Sequence, residues 1–137
     1  MATVRLEIIT PEAVAYRDDV DMVLLPAELG EMGVYPMHVP LITKIMPGEL
    51  VVTKGAEKAR IAIGEGFAEI TQTNIRVLAD MAIEEAQIDE EAAEKAVERA
   101  QERLRQGSLG DEEVAMVNVI LAKSLAQLKV KRRKRGV

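Results

Sequence analysis

The chain has no cysteine and no tryptophan, a single histidine (His38), and two serines, Ser108 and Ser124. Without cysteine there is no disulfide frame, thiolate nucleophile or Cys-ligated zinc or iron–sulfur site. One histidine is too few for a His-rich metal centre. The aromatic residues are Tyr16, Tyr35 and Phe67 alone, too few for a stacking surface that reads RNA or sugar. No apolar run approaches the roughly 18 residues of a membrane span, and the first residues lack the apolar centre of a signal peptide. The expectation is a soluble protein. A P-loop and a dinucleotide fingerprint are also missing. Gly64-Glu65-Gly66 has neither the third glycine nor the following helix and reads as a bulge or turn. A serine nucleophile would need His38 beside Ser108 or Ser124, which belong to a different part of the chain.

What is present suits a packed core. Apolar residues make up 48% of 137 positions, enough for one average domain or a small domain with an appendage. The net charge of −5 is unevenly spread. Residues 1–86 carry 7 basic and 14 acidic side chains, and residues 87–137 carry 11 and 9. The excess of positive charge lies in Lys129-Val130-Lys131-Arg132-Arg133-Lys134-Arg135. Such a run is either a solvated tail or an arm that seeks an acidic surface. Six charges without aromatics are not expected to read a nucleic-acid sequence.

Residues 1–83 follow a two-residue period. Val4, Leu6 and Ile8 alternate with Arg5 and Glu7, and Pro11 ends the strand. Further strands are expected at Val20–Leu25 (stopped by Pro26), Leu50–Val52, Ala59–Ile63, Phe67–Thr71 and Ile75–Leu78. Turns fall at Pro47-Gly48, Lys54-Gly55 and Thr73-Asn74. Short strands punctuated this way predict an antiparallel β-sandwich or barrel. From Gln87 the pattern changes to i, i+3/i+4. Asp89 is the expected N-cap of a helix whose stripe is Ala93, Ala96, Val97, Ala100 and Leu104, ending near Gly107. Asp111 is the expected cap of a second helix with the stripe Val114, Val117, Leu121, Leu125 and Leu128. The short loop between them makes an antiparallel hairpin. The Ala-rich seam buries little area, at about 25 cal/mol per Å², so it should hold weakly. Helix two carries more apolar surface than helix one can cover. It either packs on the β domain as well or leaves its docked position to meet another protein.

The densest local signal is Glu28–Leu41, with two glycines, two prolines, His38 and Tyr35. It reads as an irregular loop passing into a short strand, in which Gly30 and Gly33 permit positive φ and Pro36 and Pro40 hold extended conformers. The loop is a sandwich corner or a rigid surface presenting Glu28, Glu31 and His38. His38 reads equally well as a structural histidine bonded to backbone.

Within this segment, Gly33-Val34-Tyr35-Pro36-Met37-His38-Val39-Pro40-Leu41 closely resembles the Gly-(Ile/Val)-x-Pro-x-His-x-Pro-Leu stretch of the epsilon subunit of F-type ATP synthases. The likeness covers the whole chain. Met1–Pro11 resembles that family's first strand, Ile63–Ile70 its Gly-Phe-x-Glu element, and Asn74–Asp80 its Val-Leu-Ala-Asp strand. The resemblance implies a sandwich of about ten strands at 1–86 and a regulatory two-helix hairpin at 87–137. It implies a non-catalytic central-stalk subunit of the proton-translocating enzyme, in contact with the gamma subunit, the polar loops of the membrane c-ring and the beta and alpha subunits of the catalytic head. Glu28, Glu31, Tyr35 and His38 would face the c-ring and gamma. Arg103, Arg105, Ser108, Lys123, Lys129, Arg132 and Arg133 would face the beta subunits, and the hairpin would inhibit ATP hydrolysis when extended. The implied location is the cytoplasmic face of a bacterial plasma membrane, with peripheral attachment.

One family feature is damaged. Members that bind ATP in the hairpin carry (Ile/Leu)-Asp-x-x-Arg-Ala, where this chain has Ile88-Asp89-Glu90-Glu91-Ala92-Ala93. Asp89 and Ala93 match, but the arginine is Ala92, and later family arginines align with Lys123 and Gln127. Losing guanidinium groups removes bidentate phosphate donors. The expectation is no cofactor, with ATP binding weak or absent. Two rival readings are a free-standing β-sandwich adaptor, its basic tail docked on anionic membrane or nucleic acid, and a small enzyme centred on His38.

Overall fold

The computed structural model describes residues 2–133. Ten strands come first: β1 (Val4–Ile9), β2 (Val14–Val20), β3 (Met22–Ala27), β4 (Gly30–Val34), β5 (Leu41–Ile45), β6 (Gly48–Lys54), β7 (Glu57–Ile63), β8 (Gly66–Ile70), β9 (Asn74–Ala79) and β10 (Ala82–Glu84). A 3-10 turn at Glu85–Gln87 leads to α1 (Glu90–Gln106) and α2 (Asp111–Arg132). The strands pair in the order β10-β7-β6-β3-β5-β8-β9-β1-β2, with β4 on β3. The ladder turns over between β3 and β5, where one residue pair, Ala27 with Ile45, joins the two halves. Two layers therefore face each other, and the ion pair Lys54–Asp18 at 2.7 Å ties β6 to β2 along the opposite seam. The result is the expected sandwich, nearly closed into a barrel.

The core follows from the two-residue period. In β1, Val4, Leu6 and Ile8 point inward while Arg5 and Glu7 point out. Leu25, Ile45, Leu50, Ile61, Ile63, Ile70 and Ile75 complete an aliphatic core, each fully buried. Burying each such side chain is worth about 1.5–3 kcal/mol. None of the three aromatics is in this core: Phe67 is 57% exposed and Tyr35 62%, and Tyr16 packs only at its margin.

The structure departs from expectation in several elements. β1 and β9 run parallel, because the first strand inserts between β2 and β9. The strand expected at Val20–Leu25 is two elements, β2 and β3, which bend apart at Asp21. Pro26 does not stop β3. Pairing to β6 ends at Leu24, so Pro26 lies beyond the ladder that would have needed its missing N–H, while its carbonyl accepts from Met46 N at 2.8 Å. The Glu28–Leu41 segment begins as a tight hairpin rather than a loop: Ala27 pairs with Gly30 around the two-residue turn Glu28-Leu29, and β4 follows. Gly30 does take positive φ (123°), but the second such residue in the segment is Met37 (67°), not Gly33.

The helices begin and end where their chemistry directs. Asp89 Oδ1 accepts from Ala92 N at 3.0 Å, capping α1, and Gly107 ends it at φ 70°. The cap of α2 is Gly110, one residue before the expected Asp111. Glu113 Oε1 reaches back to Gly110 N at 3.5 Å, and Asp111 becomes the first helical residue. On α2 the buried positions are Val117, Ser124, Ala126, Leu128 and Val130. Leu125, expected on the seam, is 47% exposed, as are Met116, Val119 and Ile120 to similar degrees. Ala93 and Ala100 are the buried residues of α1. The apolar surplus on α2 is therefore real. Docking on the outer face of β6 and β7 absorbs part of it, and the rest faces solvent.

Candidate functional site

The residues singled out by sequence fall into two groups. The first surrounds the β3–β4 hairpin. Its turn carries Glu28 and Leu29, and Leu29 is entirely exposed. Glu31 stands exposed on β4 opposite Pro26. After β4 the chain makes a turn in which Tyr35, Met37 and Val39 are 62%, 63% and 73% exposed. Met37 N donates to Gln72 O at 2.8 Å, pinning this turn to the β8–β9 connection. His38 Nδ1–H donates to Val39 O at 2.7 Å. It is thus a backbone-bonded histidine within a rigid display of apolar side chains edged by two carboxylates.

The second group lies along the helical hairpin, where most of its charges are already engaged. Arg103 pairs with Glu113 at 3.8 Å and Arg105 with Glu102 at 2.6 Å, while Ser108 is exposed in the loop between the helices. Lys123 reaches Asp80 on the sandwich at 3.5 Å. Arg132 bridges Glu90 (2.9 Å) and Glu94 (2.7 Å) of α1. Arg133 Nε donates to Glu49 Oε2 on β6 at 2.8 Å. That hydrogen bond, before the field of Glu49 and of Glu31, raises the Arg133 guanidinium above its ordinary value. Lys129 is exposed, and Lys134 and Arg135 lie outside the described residues.

Several residues aligned with the family's ATP motif have partners within the chain. The Asp89 carboxylate is occupied as a cap, Ala92 is exposed, Lys123 is paired with Asp80, and Gln127 Nε2 donates to Met81 Sδ at 3.4 Å. Among the described residues no group of His, Cys, Asp or Glu is placed to hold a metal ion, and no helix is long and apolar enough to cross a membrane.

A third surface escaped sequence reasoning. On the outer face of the β5-β8-β9-β1-β2 layer, register places Phe67 opposite Leu78, Leu78 beside Ile9, and Ile9 opposite Val14. Phe67, Leu78 and Val14 are 57%, 51% and 47% exposed. The next row is charged and self-paired: Arg17 Nε donates to Glu7 Oε2 at 3.0 Å, and Arg76 reaches Glu7 at 3.6 Å and Glu69 at 4.0 Å. Phe67, Leu78, Ile9 and Val14 thus form an apolar row beside a self-paired ionic one, the composition in which contact surfaces are found. The available signal was parity. Ala68 and Ile70 point inward, so Phe67 must point out.

The fold and these surfaces define an association protein: a stiff sandwich with two displayed faces and an attached helical arm. Residues 3–85 match the family description "ATP synthase, Delta/Epsilon chain, beta-sandwich domain", and residues 86–132 match "ATP synthase, Delta/Epsilon chain, long alpha-helix domain". The ATP synthase epsilon chain of Desulforamulus reducens is 39% identical over 128 residues, covering 93% of this chain and 96% of that one. That of Laribacter hongkongensis is 40% identical over 134 residues, covering 94% and 93%. A chain in the cryo-EM structure of Euglena gracilis mitochondrial ATP synthase (OSCP/F1/c-ring) shares the fold at a TM-score of 0.76 and 23% identity, over 92% of this chain and 79% of its own. The protein belongs to the ATP synthase delta/epsilon chain family, and within it to the epsilon chains. This membership decides against the free-standing adaptor.

Proposed function

We propose that the protein is the non-catalytic central-stalk subunit of an F-type ATP synthase, coupling the catalytic head to the membrane c-ring and restraining ATP hydrolysis through a movable hairpin. In this reading residues 1–86 are the contact body and residues 87–137 the arm. Glu28, Glu31, Tyr35 and His38, with the exposed Leu29, meet the polar loops of the c-ring and the foot of gamma. The Phe67–Leu78 row adds apolar area for gamma. The hairpin residues Arg103, Arg105, Ser108, Lys123, Lys129, Arg132 and Arg133 face the acidic surface of the beta subunits when the arm extends. ATP binding to this hairpin, with Asp89 and Ala93 as its remaining motif residues, is weak or absent, because the motif guanidinium positions hold Ala92, Lys123 and Gln127. The assembly sits at the cytoplasmic face of a bacterial membrane, with this subunit peripheral.

The observation that carries the brake is the construction of the arm. The main sandwich core contains no residue of α1 or α2, and α2 keeps Met116, Val119, Ile120 and Leu125 exposed while docked. An arm that is dispensable to the core and has apolar surface in reserve can exchange one partner for another. Deleting residues 88–137 is expected to leave assembly intact and to raise ATP hydrolysis by the purified complex. Unchanged hydrolysis in the assembled truncation would remove the brake and keep the coupling role.

A further inference from the structure

We propose that Arg133, Glu49 and Arg60 form a charge latch that holds α2 on the sandwich in a single register. The proposal rests on reading the hairpin as a movable arm and adds what keeps it docked.

The apolar part of the docking contact is small. Ala62 of β7, Ile88 and Val130 form its buried centre, with Met81 and Ile83 at the margin. Beside this patch lies Glu49, whose side chain is 4% exposed. It is the one charged residue that is buried among the described residues. Its place on β6 opposite Ala62 of β7 turns it out of the core and under α2. A carboxylate removed from water is costly unless fully paired. Arg60 approaches Oε1 from the neighbouring strand at 3.4 Å. Arg133 supplies the closer contacts: Nε to Oε2 at 2.8 Å and Nη2 to Oε1, a two-pronged fork.

The consequence is conditional docking. With α2 away, Glu49 regains water and needs no partner. With α2 seated, Glu49 is covered, and the register that delivers Arg133 gives it a two-pronged guanidinium partner beside Arg60. A slip by one helical turn, about 3.6 residues, that brings Lys129 to this point replaces the two-pronged fork with a single ammonium. Lys131 Nζ on Glu85 O (3.2 Å) and Lys123 on Asp80 (3.5 Å) support the same seating further along the helix. Lys123 and Arg133, both assigned to an acidic partner, are therefore held by carboxylates of the sandwich while the arm is docked, so partner and sandwich compete for them.

Amide hydrogen exchange of the isolated full-length chain tests the latch, comparing R133Q, E49Q and the double variant. R133Q is expected to raise exchange in α2 residues 118–130 about tenfold, equivalent to about 1.4 kcal/mol of docking, with β6–β9 unchanged. E49Q is expected to do less, because it removes the burial cost together with the pair. R133Q added to E49Q is expected to have little further effect. Equal effects of R133Q in both backgrounds, or unaltered α2 protection in R133Q, would overturn the latch. The β6–β9 amides report in the same experiment that each variant is folded. Because the isolated chain is measured, a failed latch leaves the hydrolysis assay of the truncated complex to judge the brake on its own.

Discussion

Gly66 shows how one residue can carry a constraint visible only in three dimensions. A Cβ there would stand 1.8 Å from the carbonyl oxygen of Leu78 and 2.8 Å from the Cα of Ala79. Both are backbone atoms of β9, the paired neighbour of β8, so neither can turn aside. Gly66→Ala is expected to destabilise the sandwich by about 3 kcal/mol. The check is a lowered urea midpoint with unchanged slope. Gly64 differs, since its Cβ would meet Asp80 Oδ1 at 1.8 Å, a side-chain atom. Asp80 also pairs with Lys123 of α2, so a substitution at Gly64 disturbs the hairpin as well as the strand. The sequence marks both glycines as punctuation. It does not say what they approach, because the crowding atoms belong to residues more than ten positions further on.

At the scale of elements, legibility tracks the strength of the period. β1, β8 and β9 bury one face each in strict or near-strict alternation and are readable at once, whereas β6 is buried on both faces at Gly48–Val52 because α2 covers its outer side. β2 was not. Its sequence, Val14-Ala15-Tyr16-Arg17-Asp18-Asp19-Val20, is dominated by charge because it is an edge strand paired to β1 alone in its ladder. Charges on an edge discourage stray strand pairing, and the same charges hide the strand from a hydrophobic pattern. The helices were readable from Asp89, the alanine stripe and Gly107, each a local signal. The start of α1 also bears on nucleotide binding. With Ala92 in the arginine position and Asp89 spent on the cap, isothermal titration of the isolated chain with ATP is expected to show no micromolar binding. Micromolar affinity would require donors elsewhere on the hairpin.

For the whole molecule, the outer row of Phe67, Leu78, Ile9 and Val14 matters most. These residues come from four strands, and only their shared register makes them one surface. Phe67→Asp is expected to change the unfolding free energy by less than about 0.5 kcal/mol, since the side chain is already exposed. For the gamma contact proposed above, the same change is expected to weaken association about tenfold or more, the effect of losing an aromatic anchor. Binding of the purified chain to gamma, alongside an unfolding curve, checks both.

Much of the protein was determined by its sequence alone. Alternation, turn residues and caps specify a sandwich followed by a hairpin, because each of these preferences is satisfied within a few residues of itself. The same holds for what is missing: one histidine and no cysteine turned attention from catalysis to association. The tertiary structure decided what the exposed and charged residues do. Glu49 reads as a solvated strand glutamate until α2 covers it, and Arg133 as part of a basic tail until Glu49 takes it. Burial and pairing are properties of distance between residues 84 positions apart, and no local pattern encodes them.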